Sequence, residues 1–190
     1  VQTLTYLPHF ITTVVICSMI IQFTNSTGFI TGIVNLFGHS GSLIGDPACF
    51  RAIYVVSDIW QSFGWNSIIY IAAISTINPD LYEAAAIDGA NRAQRMWHVT
   101  LPGILPVVSL MLLLRVGSIL AAGTEQILAM YNPAVYDVAD VLQTYIYRVG
   151  LGKMDFSTGT AMGLFESIIG FALTVGCNGL SKKFFGRSLW

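Results

Sequence analysis

Several stretches of this chain are long and apolar enough to cross a lipid bilayer, and short polar segments separate them. A spanning helix needs about 20 mostly apolar residues, and four stretches qualify: 4–23, 52–77, 103–122 and 156–180. Charged residues make up 10% of the 190-residue sequence, against roughly a quarter in soluble domains. Because so little charge cannot cover a surface in contact with water, the sequence predicts an all-α, polytopic membrane protein with about four spans.

Two further segments are amphipathic but too short to span. Residues 28–38 place apolar side chains on one helical face, which is typical of a helix lying at the membrane interface. The polar connection 123–155 contains a second such stretch, with these residues on one face: Val138, Val141, Leu142, Tyr145 and Val149. We therefore expect interfacial helices beside the spans.

Basic residues near the span ends predict the orientation, because cytoplasmic loops carry an excess of Lys and Arg. With four spans, the connection 78–102 and the C-terminal tail lie on one side, which carries Arg92, Arg95, Lys182, Lys183 and Arg187. The other side carries Arg51, Arg148 and Lys153. This bias places the connection 78–102 in the cytoplasm.

Charge and cysteine content disfavour other classes of protein. The net charge of −1 argues against nucleic-acid binding. The three cysteines are odd in number and far apart, so we expect neither a disulfide framework nor a metal centre. The chain begins at Val1 with no initiating Met or visible signal peptide. We therefore expect one membrane domain, residues 1–190, that lacks an upstream part.

The connection 78–102 holds the densest cluster of charge in the chain: Asp80, Glu83, Asp88, Arg92 and Arg95. Asn78, Pro79 and Asp80 predict a helix start, because Asn caps free amides, Pro suits the first helical position and Asp complements the positive helix end. Gly89 permits the positive φ that ends a helix. A helix over residues 79–88 is therefore expected.

A second helix is expected to follow directly. We interpret Asp88 as its N-cap, because a carboxylate is unfavourable at the end of the preceding helix. Leu101 and Pro102 are expected to stop this second helix and start the next span. The product is a helix–glycine–helix bracket across the membrane face. A capped surface loop with no partner is the alternative, and helix capping alone does not decide between the two.

The same connection carries a longer motif. Glu83, Ala84 and Ala85 are followed after three residues by Gly89, and after nine more by the run Val99-Thr100-Leu101-Pro102. This spacing resembles the EAA signature of ABC importer permeases, E-A-A, three residues, G, nine residues, I-x-L-P, with Val in place of Ile. The resemblance covers essentially the whole chain. Four further stretches are similar to the sugar branch of these permeases, of the maltose and polysaccharide type: 6–10, 57–60, 131–133 and 144–151.

The resemblance implies a type I ABC importer transmembrane domain, a permease subunit in the bacterial cytoplasmic membrane that translocates an oligosaccharide. Such permeases usually have six spans, so two more are expected upstream. The implied partners are a second permease, homologous or identical, two ATPase subunits and an extracytoplasmic solute-binding protein. The permease itself is not an enzyme. ATP and Mg²⁺ are implied to bind the ATPase, and this sequence lacks the phosphate-binding motif G-x-x-x-x-G-K-[ST].

The resemblance also implies roles within the motif. Residues 79–88 are implied to be a coupling helix that docks in a groove of the ATPase. Glu83 contacts the ATPase, the alanines permit close packing, and Gly89 sets the bend. The implied ATPase-coupling residues are Glu83, Ala84, Ala85, Asp88, Gly89, Leu101 and Pro102.

Ionisable residues inside predicted spans are costly unless they are paired or hydrated. We expect Arg115 to pair with Glu166 or Asp58, either as a structural ion pair or as part of a polar translocation path. Trp60 and Gln61 lie beside Asp58, and aromatic faces with polar neighbours bind sugars, although aromatic residues also anchor proteins at membrane interfaces. These five residues are the candidates for the substrate path.

Other function classes stay open at this point. An integral-membrane enzyme using Asp58 and Glu166 as acid and base predicts turnover by the chain alone. A passive channel predicts flux without ATP. Among ABC permeases, an amino acid or an ion is an alternative cargo, because the motif reports the coupling and not the substrate.

Overall fold

The structure, a computed structural model, describes residues 2–38, 40–121 and 123–185, and the regular elements in these ranges are all helical. The α-helices are α1 Gln2–Tyr6, α2 Thr13–Thr24, α3 Phe29–Asn35, α4 Pro47–Ser75, α5 Pro79–Ile87, α6 Arg92–Arg95, α7 Leu101–Gly117, α8 Thr124–Met130, α9 Tyr136–Ala139, α10 Leu142–Tyr147 and α11 Phe156–Phe185. Short 3₁₀ helices cover Leu7–Phe10 and Pro133–Val135, and π-helical turns cover Met96–Thr100 and Arg148–Gly152.

Three helical segments in the described ranges are long and apolar enough to cross a membrane: Thr13–Asn35, Arg92–Gly117 and Phe156–Gly179. The second predicted span, 52–77, lies in α4, whose 29 residues extend about 43 Å at 1.5 Å per residue. Helix α4 is long enough to cross a membrane, but its polar side chains make it less apolar than the three segments named above. The all-helical membrane fold is confirmed, with three such segments where we expected four.

The first span was predicted with the wrong boundaries. Residues 4–23 do not form one helix, because the backbone turns extended at Ile11 (ψ 133°) and Thr12 (ψ 143°) before α2 begins. Pro8 lies in the preceding 3₁₀ helix, and its missing N–H cannot continue an α-helical hydrogen-bond ladder. The helix expected within 28–38 is present as α3.

The chain divides into two compact units. The first comprises Val1–Trp65 and Leu120–Glu166. Its core packs α2, the start of α4 and the segment from α8 to α9 together, with these buried residues: Cys17, Ile44, Phe50, Ile127, Met130, Val135 and Ala139. Gln126 is buried among them and donates from Nε2 to Ser57 Oγ at 2.7 Å. Cys17 is therefore a core residue, as its apolar surroundings in the sequence predict.

The second unit comprises Asn66–Ile119 and Ser167–Trp190. It holds the end of α4, the bracket, α7 and the second half of α11. Helices α7 and α11 approach closely where Gly117 faces Thr174, since a Cβ built at Gly117 would lie 2.8 Å from Thr174 Oγ1.

The predicted ends of the last two spans need correction. Helix α7 ends at Gly117 rather than at 122, and Ala122 lies outside the described residues. Helix α11 continues to Phe185, five residues past the predicted end at 180, so the expected tail begins as helix. Arg187, in the same tail, also lies outside the described residues.

Candidate functional site

Helix α5 forms the first arm of the predicted bracket. Asn78 caps it as expected, because its Oδ1 accepts the backbone N–H of Asp80 at 3.0 Å. Pro79 occupies the first turn, where its missing N–H costs nothing. No residue of α5 is buried, and Ile87 at its end is 87% exposed. Glu83 and Ala84 are exposed and Ala85 is half-buried, so this arm presents an uncovered surface.

The turn after α5 is set by Gly89, which has a φ of +77°. This left-handed backbone favours glycine, and the predicted helix end is confirmed. Asp88 is not the N-cap of the next helix, which corrects our interpretation. The N–H of Ala90 still bonds the carbonyl of Ala85 at 2.9 Å, so the chain has not yet left α5 when Asp88 is reached. Asp88 is the C-cap residue of α5.

Asn91 caps the second arm instead. Its Oδ1 accepts the N–H of Gln94 at 2.9 Å, while Gln94 Oε1 accepts the N–H of Asn91 at 2.8 Å. This reciprocal pair is a capping box. The capping residue is therefore three positions later than the sequence suggested, because the Gly89–Ala90 turn first completes α5.

The second arm does not stop at Leu101 and Pro102, contrary to our prediction. Helical structure runs from α6 through the π turn Met96–Thr100 into α7 without a break. The N–H of Leu101 bonds the carbonyl of Met96, five residues back. Pro102 has no N–H to contribute and lies in the first turn of α7, directly after the π turn. The second arm and the span are thus one continuous rod.

The two arms enclose a shallow hollow of about 290 Å³. Polar and charged side chains from both arms reach it, among them those of Asp88, Gln94, Arg95 and His98. His98 is held in place by a 3.0 Å hydrogen bond between its Nδ1 and the carbonyl of Gln94. Leu81, Met96 and Trp97 are exposed elsewhere on the bracket. A surface that mixes charge with exposed apolar side chains suits a protein partner.

Comparison with known proteins decides the family. Residues 1–182 match the family described as "Binding-protein-dependent transport system inner membrane component". The chain belongs to this family. The matched residues include the whole bracket and all three segments that are long and apolar enough to span a membrane.

Relatives agree with that assignment. The chain is 41% identical to Protein LplB of Bacillus subtilis (strain 168) and 39% identical to the polygalacturonan/rhamnogalacturonan transport system permease protein YteP of the same organism, over 97% of its own length in each case. It spans 58% of the length of each of these curated relatives. It is also 31% identical, over 74% of its length and 29% of the relative's, to the maltose/maltodextrin permease protein MalF of Vibrio vulnificus (strain YJ016).

Solved structures share the fold. One is a crystal structure of a bacterial ABC transporter involved in import of the acidic polysaccharide alginate, with a TM-score of 0.91 and 39% identity over 96% of this chain and 65% of the matched chain. A second shows the alginate transporter with a pentasaccharide-bound periplasmic protein, with a TM-score of 0.93 and 38% identity over 99% of this chain and 66% of that chain.

Glu166 of this inner membrane component has a partner that sequence reasoning missed. Glu166 is 7% exposed, and both of its carboxylate oxygens accept hydrogen bonds from Gln143 Nε2 at 2.7 Å. Gln143 lies on α10, where the sequence showed only an amphipathic helix. Asp58 and Arg115 are exposed in the isolated chain. Arg115 belongs to the second unit and Glu166 to the first, so their pairing stays a prediction.

Trp60 and Gln61 have different surroundings. Trp60 is 52% exposed and borders two hollows of about 380 and 550 Å³. Apart from Thr5, Thr24 and Ser57, the residues lining both hollows have apolar side chains. Gln61 Nε2 donates to the carbonyl of Ile11 at 3.4 Å. A sugar needs polar partners, so the wall beside Trp60 suits an apolar helix or an acyl chain better.

A charged and aromatic cluster lies in the predicted polar connection. Arg148 forms a 2.6 Å salt bridge with Asp140, and its guanidinium carbon lies 5.4 Å from the ring centre of Tyr145 and 6.0 Å from that of Tyr136. Burial alone would raise the pKa of Asp140, but hydrogen bonds from Arg148 and Thr144 outweigh it and hold the pKa below its usual value. The cluster ties α9, α10 and the following π turn together.

Proposed function

We propose that this chain is part of the permease subunit of an ATP-driven importer in the bacterial cytoplasmic membrane, and that it carries an oligosaccharide delivered by an extracytoplasmic solute-binding protein. The observation that carries the proposal is the family match over residues 1–182, which includes an exposed, rigidly built bracket at the position of the EAA motif.

Helix α5 is the element that we propose docks on an ATPase subunit. None of its residues is buried by the described part of the chain, and Glu83 and Ala84 are exposed on it while Ala85 is half-buried. The second arm is continuous with α7. A displacement that reaches the second arm would therefore pass into α7 without a break in the helix. Two ATPase subunits would serve a pair of permease subunits, identical or homologous.

The nucleotide chemistry belongs to the partner in this proposal. The sequence has no phosphate-binding loop of the Walker type, so ATP and Mg²⁺ would bind the ATPase subunits. The chain itself would catalyse no covalent step and would alternate between outward- and inward-facing states.

We propose an acidic oligosaccharide as the first cargo to test. One similar protein is described as a polygalacturonan/rhamnogalacturonan permease, and one similar structure as a transporter for the acidic polysaccharide alginate. Polygalacturonan is a polymer of uronic acid, so both substrates carry carboxylates. The candidates for the path through the membrane are Asp58, Gln61, Arg115 and Glu166, with Trp60 a weaker candidate because its surroundings are apolar.

The test is uptake into proteoliposomes that contain the full-length permease pair and its ATPase subunits, with the loaded binding protein added on the outside. We expect labelled oligogalacturonide to enter only when ATP is inside, and maltodextrin to enter more slowly. Equal uptake without ATP would indicate a passive channel. ATP-driven uptake of an amino acid or ion alone would support an ATP-driven importer but contradict the proposed oligosaccharide substrate. Conversion of the sugar by the purified permease would indicate an enzyme.

A further inference from the structure

The two arms of the bracket are joined by a hydrogen bond between side chains. The hydroxyl of Tyr82 lies 2.9 Å from Thr100 Oγ1, and the contact is partly buried. Tyr82 sits in the part of α5 that is remote from the Gly89 turn, and Thr100 is the last residue of the π turn. The bond therefore closes the open end of the bracket.

We propose that Tyr82 and Thr100 are positioning residues that make α5 and the base of α7 move as one body. This inference rests on the proposed importer function. Without such a tie, α5 would be attached to the second arm only by the turn at residues 88–91, and a push on α5 could be lost in bending at Gly89.

A second contact beside the hydrogen bond supports the same role. Ile77, just before α5, packs its side chain onto Gly103 at the start of α7, where a Cβ would lie 2.7 Å from Ile77 Cδ1. The contacts therefore pair residues across the bracket in antiparallel order, Ile77 with Gly103 and Tyr82 with Thr100. The arms are fastened at the membrane end as well as at the turn.

The π turn explains why Thr100 can take part. A π turn holds one residue more than an α turn, so it changes the direction in which the following side chains point. Pro102, two residues after Thr100, cannot donate an α-helical bond, and it lies in the first turn of α7 directly after the π turn. Thr100 therefore lies where the π turn passes into the span, within reach of Tyr82.

The experiment removes only the hydroxyl groups. Tyr82→Phe, Thr100→Val and the double variant are compared with wild type in the reconstituted complex, with ATP hydrolysis and uptake measured on the same proteoliposomes. Ser75→Ala is the matched control, because its hydroxyl bonds the carbonyl of Ile71 within its own helix at 3.0 Å. Tyr70→Phe, on α4 of the same unit, controls for loss of a tyrosine hydroxyl.

We expect each single variant to lower the number of sugars imported per ATP hydrolysed by roughly 2- to 30-fold, the range that coupling energies of this kind produce. The double variant should be no worse than either single variant, because both remove the same bond. The controls should keep the wild-type ratio. ATPase subunits should co-purify normally with all variants.

An unchanged ratio in both single variants would overturn the inference, and so would losses that multiply in the double variant. Loss of ATPase co-purification would also overturn it, since the bond would then serve docking rather than transmission. A wild-type complex with no ATP-driven uptake would instead refute the proposed function, so the two failures are distinguishable.

Discussion

Gln143 Nε2 lies 2.7 Å from both carboxylate oxygens of Glu166, which is almost fully buried in a membrane-crossing helix. A buried carboxylate is costly unless it accepts hydrogen bonds. Of the described contacts of Glu166, this is the one that offsets the cost. It also fastens α10 to α11 within the first unit.

Removal of the amide should therefore destabilise the protein. We expect Gln143→Leu to lower the free energy of unfolding by about 1–3 kcal/mol, because the carboxylate loses its donor. Adding Glu166→Gln to Gln143→Leu should recover part of the loss, since a neutral amide is less costly to bury unpartnered than a carboxylate. Thermal unfolding of the purified protein in detergent measures both. Equal stability of wild type and Gln143→Leu would show that the pair contributes nothing.

The effect of substitutions at Gly89 on uptake should depend on backbone strain rather than on side-chain size. No atom lies within 4 Å of a Cβ built at Gly89, so the penalty comes from its φ of +77°, about 1–2 kcal/mol for an ordinary residue. We expect uptake to fall in the order Gly89→Asn, Gly89→Ala, Gly89→Val, because Asn tolerates this backbone and β-branched residues do not. Uptake that is the same for Asn and Val would contradict a conformational role.

Charge reversal at Glu83 tests the docking surface. Glu83 is exposed on α5, so Glu83→Lys should leave the fold intact and weaken binding of the ATPase subunit. Glu125→Lys is the control, because Glu125 is also an exposed glutamate on a short helix but lies in the other unit. Affinity for the purified ATPase should fall by roughly tenfold or more for Glu83→Lys, in line with loss of a buried charged contact, and should not change for Glu125→Lys.

The Asp140–Arg148 pair predicts a pH dependence of stability. The pKa of Asp140 is lowered in the folded protein, so the folded state favours the ionised carboxylate. Its contribution is fully present above the ordinary pKa of Asp, about 3.9, and is lost as the pH falls through the lower folded value.

We therefore expect the melting temperature to drop on acidification below about pH 4, and to drop less in Asp140→Asn. Melting curves between about pH 2.5 and 7 measure the difference between the two proteins. High salt should shrink that difference because the pair is partly exposed. A wild type and Asp140→Asn that respond identically to pH would rule out this contribution.

Sequence patterns predicted the parts of the bracket that depend on local chemistry. Asn78 caps α5 and Gly89 takes a positive φ because each property belongs to one residue and its immediate neighbours. The position of the second cap was wrong, since the choice between Asp88 and Asn91 depends on where the turn finishes α5. Pro102 suggested that the second helix ends, but the structure continues through a π turn into α7. No residue pattern predicted that π turn.

Contacts between distant residues could not be predicted in the same way. Glu166 was expected to need a partner, but an amide in an amphipathic helix 23 residues earlier gave no signal that it would be that partner. Tyr82 directly precedes the motif and Thr100 occupies its unspecified position between Val99 and Leu101, and neither carries a charge that would indicate a partner. Their pairing follows from the antiparallel course of the two arms, which only the folded bracket reveals.

The most direct test of the account is ATP-driven uptake by a complex that carries Glu83→Lys and Gly89→Val together, measured beside wild type and beside Glu125→Lys. If the bracket transmits the work of the ATPase to the membrane segments, uptake by the double variant falls to the level seen without ATP, while wild type and the control keep their rates. Undiminished uptake by the double variant would contradict the account.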